Sequence, residues 1–240
     1  MQLLLQCLWD RKFIPRGIDA VLLRTAQSNK IEYSIFDSIP VDTCKMSNFE
    51  ALFDYVQRLS GKMLSADEKQ VFIAHFKPKK LRKRQYFLQE GDVCKYTGFI
   101  VKGSARTFTV DEKGHEHILK LSVEDWWLAD FESFYQLTPS RFNIEALEDM
   151  ELLQITHAQV EEFIKPIPAF LAMQDVISQN NTIAAQKRMQ SAFSSSAEER
   201  YQQLVSDYPH FLQRFPQNMI ASYLGLSPET LSRIRRNALK

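Results

Sequence analysis

The 240-residue chain reads as an α+β fold: a helical start, a sandwich or small barrel of short hairpins, and a helical carboxy-terminal third. Three observations carry this. Glycine turns "EGD", "VKGS" and "DEKGH" punctuate residues 90–115 about every dozen residues, with β-rich pieces between them. After Gly114 no glycine occurs until Gly225, and the apolar spacing turns helical. The segment "MIASYLGLSPETLSRIRR", Met219 to Arg236, places two helices about that glycine.

With 45% hydrophobic and 12% aromatic residues the chain can bury one or two cores, which excludes a disordered polymer. Thirty Lys and Arg stand against twenty-nine Asp and Glu, so attraction to a polyanion has to be local. Cys7, Cys44 and Cys94 are odd in number and lack a C-x-x-C spacing, which argues against a disulfide framework or a metal cluster and for a reducing cytoplasm. The opening "MQLLLQCLW" lacks a basic region before it and is too short to span a bilayer. Residues 1–45 are expected to be a non-native or poorly ordered extension, with Met46 as the native start. In the rival reading the extension packs on the core and Ile31, Tyr33, Ile35 and Phe36 form a strand.

A first helix is expected from Met46, capped by Ser47 or Asn48, with Phe49, Leu52, Phe53 and Val56 on one face. A second starts at Ser65 with Glu68 three residues on, a capping box, and ends before Pro78. The pieces "YTGFIV", "ARTFTV", "HILKLS", "FNIEAL" and "ELLQIT" are the expected strands. Boundaries are expected at 46–165 for this domain, 166–193 for a connecting helix, and 194–240 for the terminal domain.

Between Pro168 and Phe193 the positions Phe170, Met173, Ile177, Asn180 and Ala184 alternate three and four apart, the seam spacing of a paired helix. This predicts a homodimer; the same stripe would also serve to pack on the β domain. A further helix follows Ser196, with Glu198 and Glu199 in its first turn, where the dipole favours acids.

In the final segment Gly225 ends one helix and Ser227-Pro228 caps the next. Leu231 and Ile234 fall on the buried side, whereas Glu229, Thr230 and Arg233 face outward near the amino end. That is the part of a recognition helix that meets base edges. Arginine can hold guanine bidentately and glutamate can accept from cytosine. Ser227, Ser232, Arg235 and Arg236 are placed for phosphates. Residues 210–240 carry five Lys or Arg against one acid, a local +4.

A glycine-punctuated roll, a long helix and a terminal "IASYLGLSPETLSRIRR" resemble the bacterial Crp/Fnr family of cyclic-nucleotide-receptor transcription regulators, over Met46 to Lys240. The resemblance implies a double-stranded β-helix (jelly-roll or β-roll), cyclic-nucleotide-binding-like, then a dimerisation helix and a winged-helix/helix-turn-helix domain. It implies palindromic double-stranded DNA, a second copy and RNA polymerase as partners, with no membrane. By position Glu229 and Arg233 match the family's base-reading residues, and Ser227 and Thr230 its phosphate-side hydroxyls. Pro228 replaces a base-reading arginine of some members.

The family's phosphate cassette is altered. Ala129-Asp130 and Ser140-Arg141 stand where Gly-Glu and Arg-Ser are expected, so the effector is expected to be a small anion or nucleotide-like molecule other than cyclic AMP; no cofactor is otherwise implied. Two rivals stand: a ligand sensor that does not bind DNA, and a metal-dependent cupin enzyme using His115 and His117 of "GHEH". The spacing of further ligands disfavours the enzyme.

Overall fold

The computed structural model describes residues 43–164 and 167–238, so the expected strand at 31–36 and nearly all of the extension lie outside the described residues. Helix α1 spans Thr43–Ser60, beginning three residues ahead of the expected start. Helix α2 (Ala66–His75) carries the expected capping box: the Ser65 hydroxyl accepts from the Glu68 N–H, and the Glu68 carboxylate accepts from the Ser65 N–H.

Eight strands follow: β1 (Lys77–Leu81), β2 (Tyr86–Leu88), β3 (Tyr96–Lys102), β4 (Ala105–Val110), β5 (Glu116–Ser122), β6 (Trp127–Leu128), β7 (Asn143–Ala146) and β8 (Met150–Thr156). They form two antiparallel four-stranded sheets, ordered β1-β8-β3-β6 and β2-β7-β4-β5. This is the expected roll. Strand β1 escapes sequence reading because only its last residue is buried; Pro78 is tolerated there because β1 is an edge strand. Gly103 is required at the β3–β4 turn. Its φ is +102°, and a Cβ there would lie 2.6 Å from Met150 Cγ.

Helix α3 (Phe131–Gln136) interrupts the roll between β6 and β7, and α4 (His157–Ile164) leads out of it. Helix α5 (Pro168–Ser194) is the long helix. The terminal unit is α6 (Ala197–Asp207), α7 (Phe211–Arg214), α8 (Gln217–Leu224) and α9 (Pro228–Ala238). Among the described residues every strand lies before His157, so no wing accompanies these helices there.

Two cores organise the chain. The first fills the roll and binds α1, α2 and the start of α5 through Phe53, Phe72, Phe99, Leu152 and their neighbours. The second joins hairpin residues Phe108, Ile118, Leu121 and Val123 to Tyr201, Leu204, Phe211, Ile220, Leu231 and Ile234 of the terminal unit. That unit is therefore docked on the roll.

The first core corrects the expected seam. Phe170 and Met173 are 3% and 1% exposed and belong to the chain's own core, with Ile177 packed against it. The Phe170 ring lies 5.8 Å from Phe72 and 6.4 Å from Trp127. Three of the five seam positions thus pack within the chain; Asn180 and Ala184 stay exposed. Other apolar residues of α5, Leu171, Ile183, Met189 and Phe193, are exposed to solvent.

Candidate functional site

Helix α8 ends at Gly225 in the left-handed region (φ +67°), whose N–H bonds back to Ala221 and Ser222, while the Leu226 N–H reaches the Ala221 carbonyl at 2.8 Å. A residue with a Cβ would be strained there. Ser227 then caps α9: its hydroxyl accepts from the Thr230 N–H at 3.2 Å and donates to the Thr230 hydroxyl at 3.2 Å. Both hydroxyls assigned to phosphates are thereby engaged with each other, and Thr230 is half-buried. Leu231 and Ile234 are buried at 0% and 3% exposure, anchoring α9 on the second core.

The outer stripe of α9 is Glu229, Ser232, Arg233 and Arg236, all exposed and spaced as one helical face. Arg235 is half-buried beside it. The Glu229 carboxyl is held below its ordinary value by its own backbone N–H and the Ser227 hydroxyl, which keeps it an acceptor. One face thus offers a carboxylate at the amino end and two guanidinium groups further along.

The cassette residues have other employment. Asp130 is buried at 8% exposure and caps α3: its carboxylate accepts from the N–H groups of Glu132 and Ser133 and from the Ser140 hydroxyl at 2.7 Å. Ser140 is 3% exposed, Ala129 half-buried, and Arg141 points outward to Glu132 at 3.3 Å. The carboxylate expected to meet a ribose closes a helix end, and the arginine stands in solvent. His115 and His117 both bond Asp111 at the hairpin tip, at 3.3 and 3.0 Å, and are 71% and 59% exposed. No group of three His, Cys, Asp or Glu among the described residues could hold a metal ion.

A set of residues unread in the sequence holds the terminal unit in place. Arg214 of α7 makes a bidentate pair with Glu124 (2.5 and 2.7 Å) and also reaches Glu148 (2.8 Å). Glu124 in turn accepts from the Gly103 N–H, and Ser104 bonds Glu148. Burial, the largest single influence, pushes the Glu124 carboxyl up, but the hydrogen bonds from Arg214, its own backbone N–H and the Gly103 N–H together leave it below its ordinary value. Ser222 of α8 accepts from the Ile118 N–H at 3.0 Å, covering the open edge of β5, and Trp126 meets Tyr208 edge-on at 5.7 Å. Arg214 has no local signal because Glu124 and Glu148 are 90 and 66 residues away in sequence.

Residues 78–166 match the cyclic nucleotide-binding domain family. Among solved structures the fold matches FixK2 from Bradyrhizobium japonicum (TM-score 0.56, 16% identity), covering 68% of this chain and 83% of that one. It matches equally the c-di-GMP-responsive global regulator CLP of Xanthomonas campestris (TM-score 0.56, 14% identity, 73% and 92% covered). CooA from Carboxydothermus hydrogenoformans gives TM-score 0.56 at 14% identity, with 75% and 82% covered. Comparison with curated protein sequences finds no match. Residues 78–166 thus match a cyclic nucleotide-binding domain, within a fold that the chain shares with these solved structures.

Proposed function

From a cyclic nucleotide-binding domain in a Crp/Fnr architecture as premise, we propose that this chain is a homodimeric, sequence-specific DNA-binding regulator of transcription acting in the cytoplasm, with no catalytic role. The observation that carries it is the outer stripe of α9, where Glu229, Ser232, Arg233 and Arg236 stand exposed on a helix anchored by Leu231 and Ile234. The second copy is held by the solvent-exposed apolar residues of α5. Sequencing of the genomic DNA that co-precipitates with the protein is the test, and recovery of a palindrome is the expected result. Recovery of no enriched sequence would favour the sensor that does not bind DNA.

Arg233 reads a base edge and Arg236 a phosphate. Arg233→Ala therefore reduces discrimination between the operator and random DNA by about 1–3 kcal/mol, whereas Arg236→Ala weakens both alike. Fluorescence anisotropy on the two duplexes checks this, and equal losses on both for Arg233→Ala would remove its base-reading role.

The effector is a small anion or nucleotide-like molecule that does not use the cassette as cyclic AMP would. Asp130 is committed to the α3 cap, and Arg141 is paired with Glu132 away from it. Operator affinity is accordingly the same with and without millimolar cyclic AMP, since a ligand without differential affinity for the DNA-binding state shifts nothing. Enhanced binding on its addition would overturn this.

A further inference from the structure

We propose that the inward face of β4 and β5 binds a small organic acid with an apolar body, its carboxylate held by the Lys120 ammonium and the Thr107 and Ser122 hydroxyls. This names the class of the anionic effector read above and rests on that reading. The strand register shows which side each residue takes. Thr107 stands opposite Lys120 and Ile144, and Ala105 stands opposite Ser122 and Ala146, so these residues share one face of the sheet. Ala105, Ile144 and Ala146 belong to the first core, which puts that face inside the roll. Leu121, between Lys120 and Ser122, turns the other way and enters the second core. Thr107, Lys120 and Ser122 thus occupy positions where alternation calls for apolar side chains.

The chain itself does not satisfy this set. The Lys120 ammonium crosses from one sheet to the other and donates to the Trp127 carbonyl of β6 at 3.1 Å, which uses one of its N–H groups. The Trp126 ring lies 5.5 Å from it, and no carboxylate among the described residues pairs with it. Burial and then the positive charge of Arg188 on α5 bring the Lys120 amine down to about 8. Arg188 is exposed and also forms no ion pair among the described residues. The Ser122 hydroxyl is 0% exposed and has no hydrogen-bond partner, an arrangement that is costly in a core. Thr107 is half-buried, and its hydroxyl bonds nothing among the described residues.

A tie between the two sheets would account for the bond from Lys120 to Trp127, but not for the orphaned hydroxyl of Ser122 on the same face. A bound carboxylate accounts for both. Its two oxygens accept from the remaining ammonium N–H groups and from the hydroxyls, and hydrogen bonds to charged groups are the strong ones. A single ammonium inside the roll matches one negative charge better than a phosphate dianion. Ile144, Ala146 and the Trp126 ring suit an apolar body. Asp130 is committed to the α3 cap and Arg141 is turned to Glu132, so the cassette does not compete for the same charge.

The test uses the full chain with benzoate as the probe, benzamide as its uncharged counterpart and phenyl phosphate as the dianion. Calorimetry and the fluorescence of Trp126 and Trp127 read binding to the protein alone, without DNA. Benzoate binds saturably in the millimolar range, and benzamide and phenyl phosphate bind more weakly. Lys120→Met weakens benzoate by about tenfold or more and Ser122→Ala by about threefold. Lys120→Met also keeps or raises the melting temperature, because the ammonium it removes had no carboxylate partner. Absence of saturable benzoate binding, or binding unchanged in both variants, overturns the site. Tighter binding of phenyl phosphate overturns the carboxylate class. A lower melting temperature in Lys120→Met with benzoate binding intact makes Lys120 a tie between the sheets and overturns its role as anchor. Operator affinity that responds to benzoate in the unaltered protein but not in Lys120→Met joins the site to the effector reading. Benzoate bound through Lys120 that leaves operator affinity unchanged overturns that link and leaves the site standing.

Discussion

Ile183→Asp is expected to convert the protein from dimer to monomer at micromolar concentration and to abolish tight binding to a palindromic operator. The reason lies in the two sets of apolar residues on α5. Phe170, Met173 and Ile177 are committed to the first core, whereas Ile183, Met189 and Phe193 are 50%, 43% and 83% exposed and Leu171 is 43% exposed. Burying an isoleucine or phenylalanine side chain contributes about 1.5–3 kcal/mol, so several such residues repeated by two-fold symmetry can hold a helix pair. A carboxylate at position 183 of a helix pair held by these residues would be desolvated without a partner. Analytical ultracentrifugation reads the oligomeric state directly. Unchanged sedimentation in Ile183→Asp, alongside dissociation in Asn180→Asp or Ala184→Asp, would return the interface to the seam spacing first read in the sequence.

Arg214→Ala is expected to destabilise the docked terminal unit by about 2 kcal/mol, the scale of hydrogen bonds to charged groups rather than of a fully buried pair. The discount follows from exposure: Arg214 is 28% exposed, and Glu124 and Glu148 are 37% and 45%. Glu124 would lose a bidentate partner, and Arg214→Lys would recover only part of the effect because a point charge cannot reproduce the guanidinium fork. Since Glu124 titrates below its ordinary value of 4.5 in the folded chain, the stabilisation is fully present above that pH. It is lost as pH falls further, through the folded-state value. The gap in melting temperature between the unaltered protein and Arg214→Ala should therefore shrink on acidification below about pH 4.5. A gap that is absent at pH 7, or constant from pH 7 to 3, would show that the second core alone holds the unit.

What the sequence determined by itself is what neighbours a few residues apart decide. The capping boxes at Ser65–Glu68 and Ser196–Glu199 form because cap and partner sit within one helical turn. The Gly225 turn and the Ser227 cap set the start of α9, and Leu231 and Ile234 follow from helical period. Strands β3, β4 and β5 were legible because their apolar and turn residues recur in register. Tertiary structure decided whatever depended on a distant surface. One apolar period on α5 could not say which surface would cover it, and the roll took Phe170, Met173 and Ile177, so that the proposed dimer contact falls to the apolar residues left exposed. Asp130 lies in the cassette by position, yet proximity to Ser140 and the first turn of α3 made it a cap. Arg214 was an undistinguished basic residue until the fold brought Glu124 and Glu148 to it. Charge pairing acts through space, and the distances that govern it exist only once the chain has closed on itself.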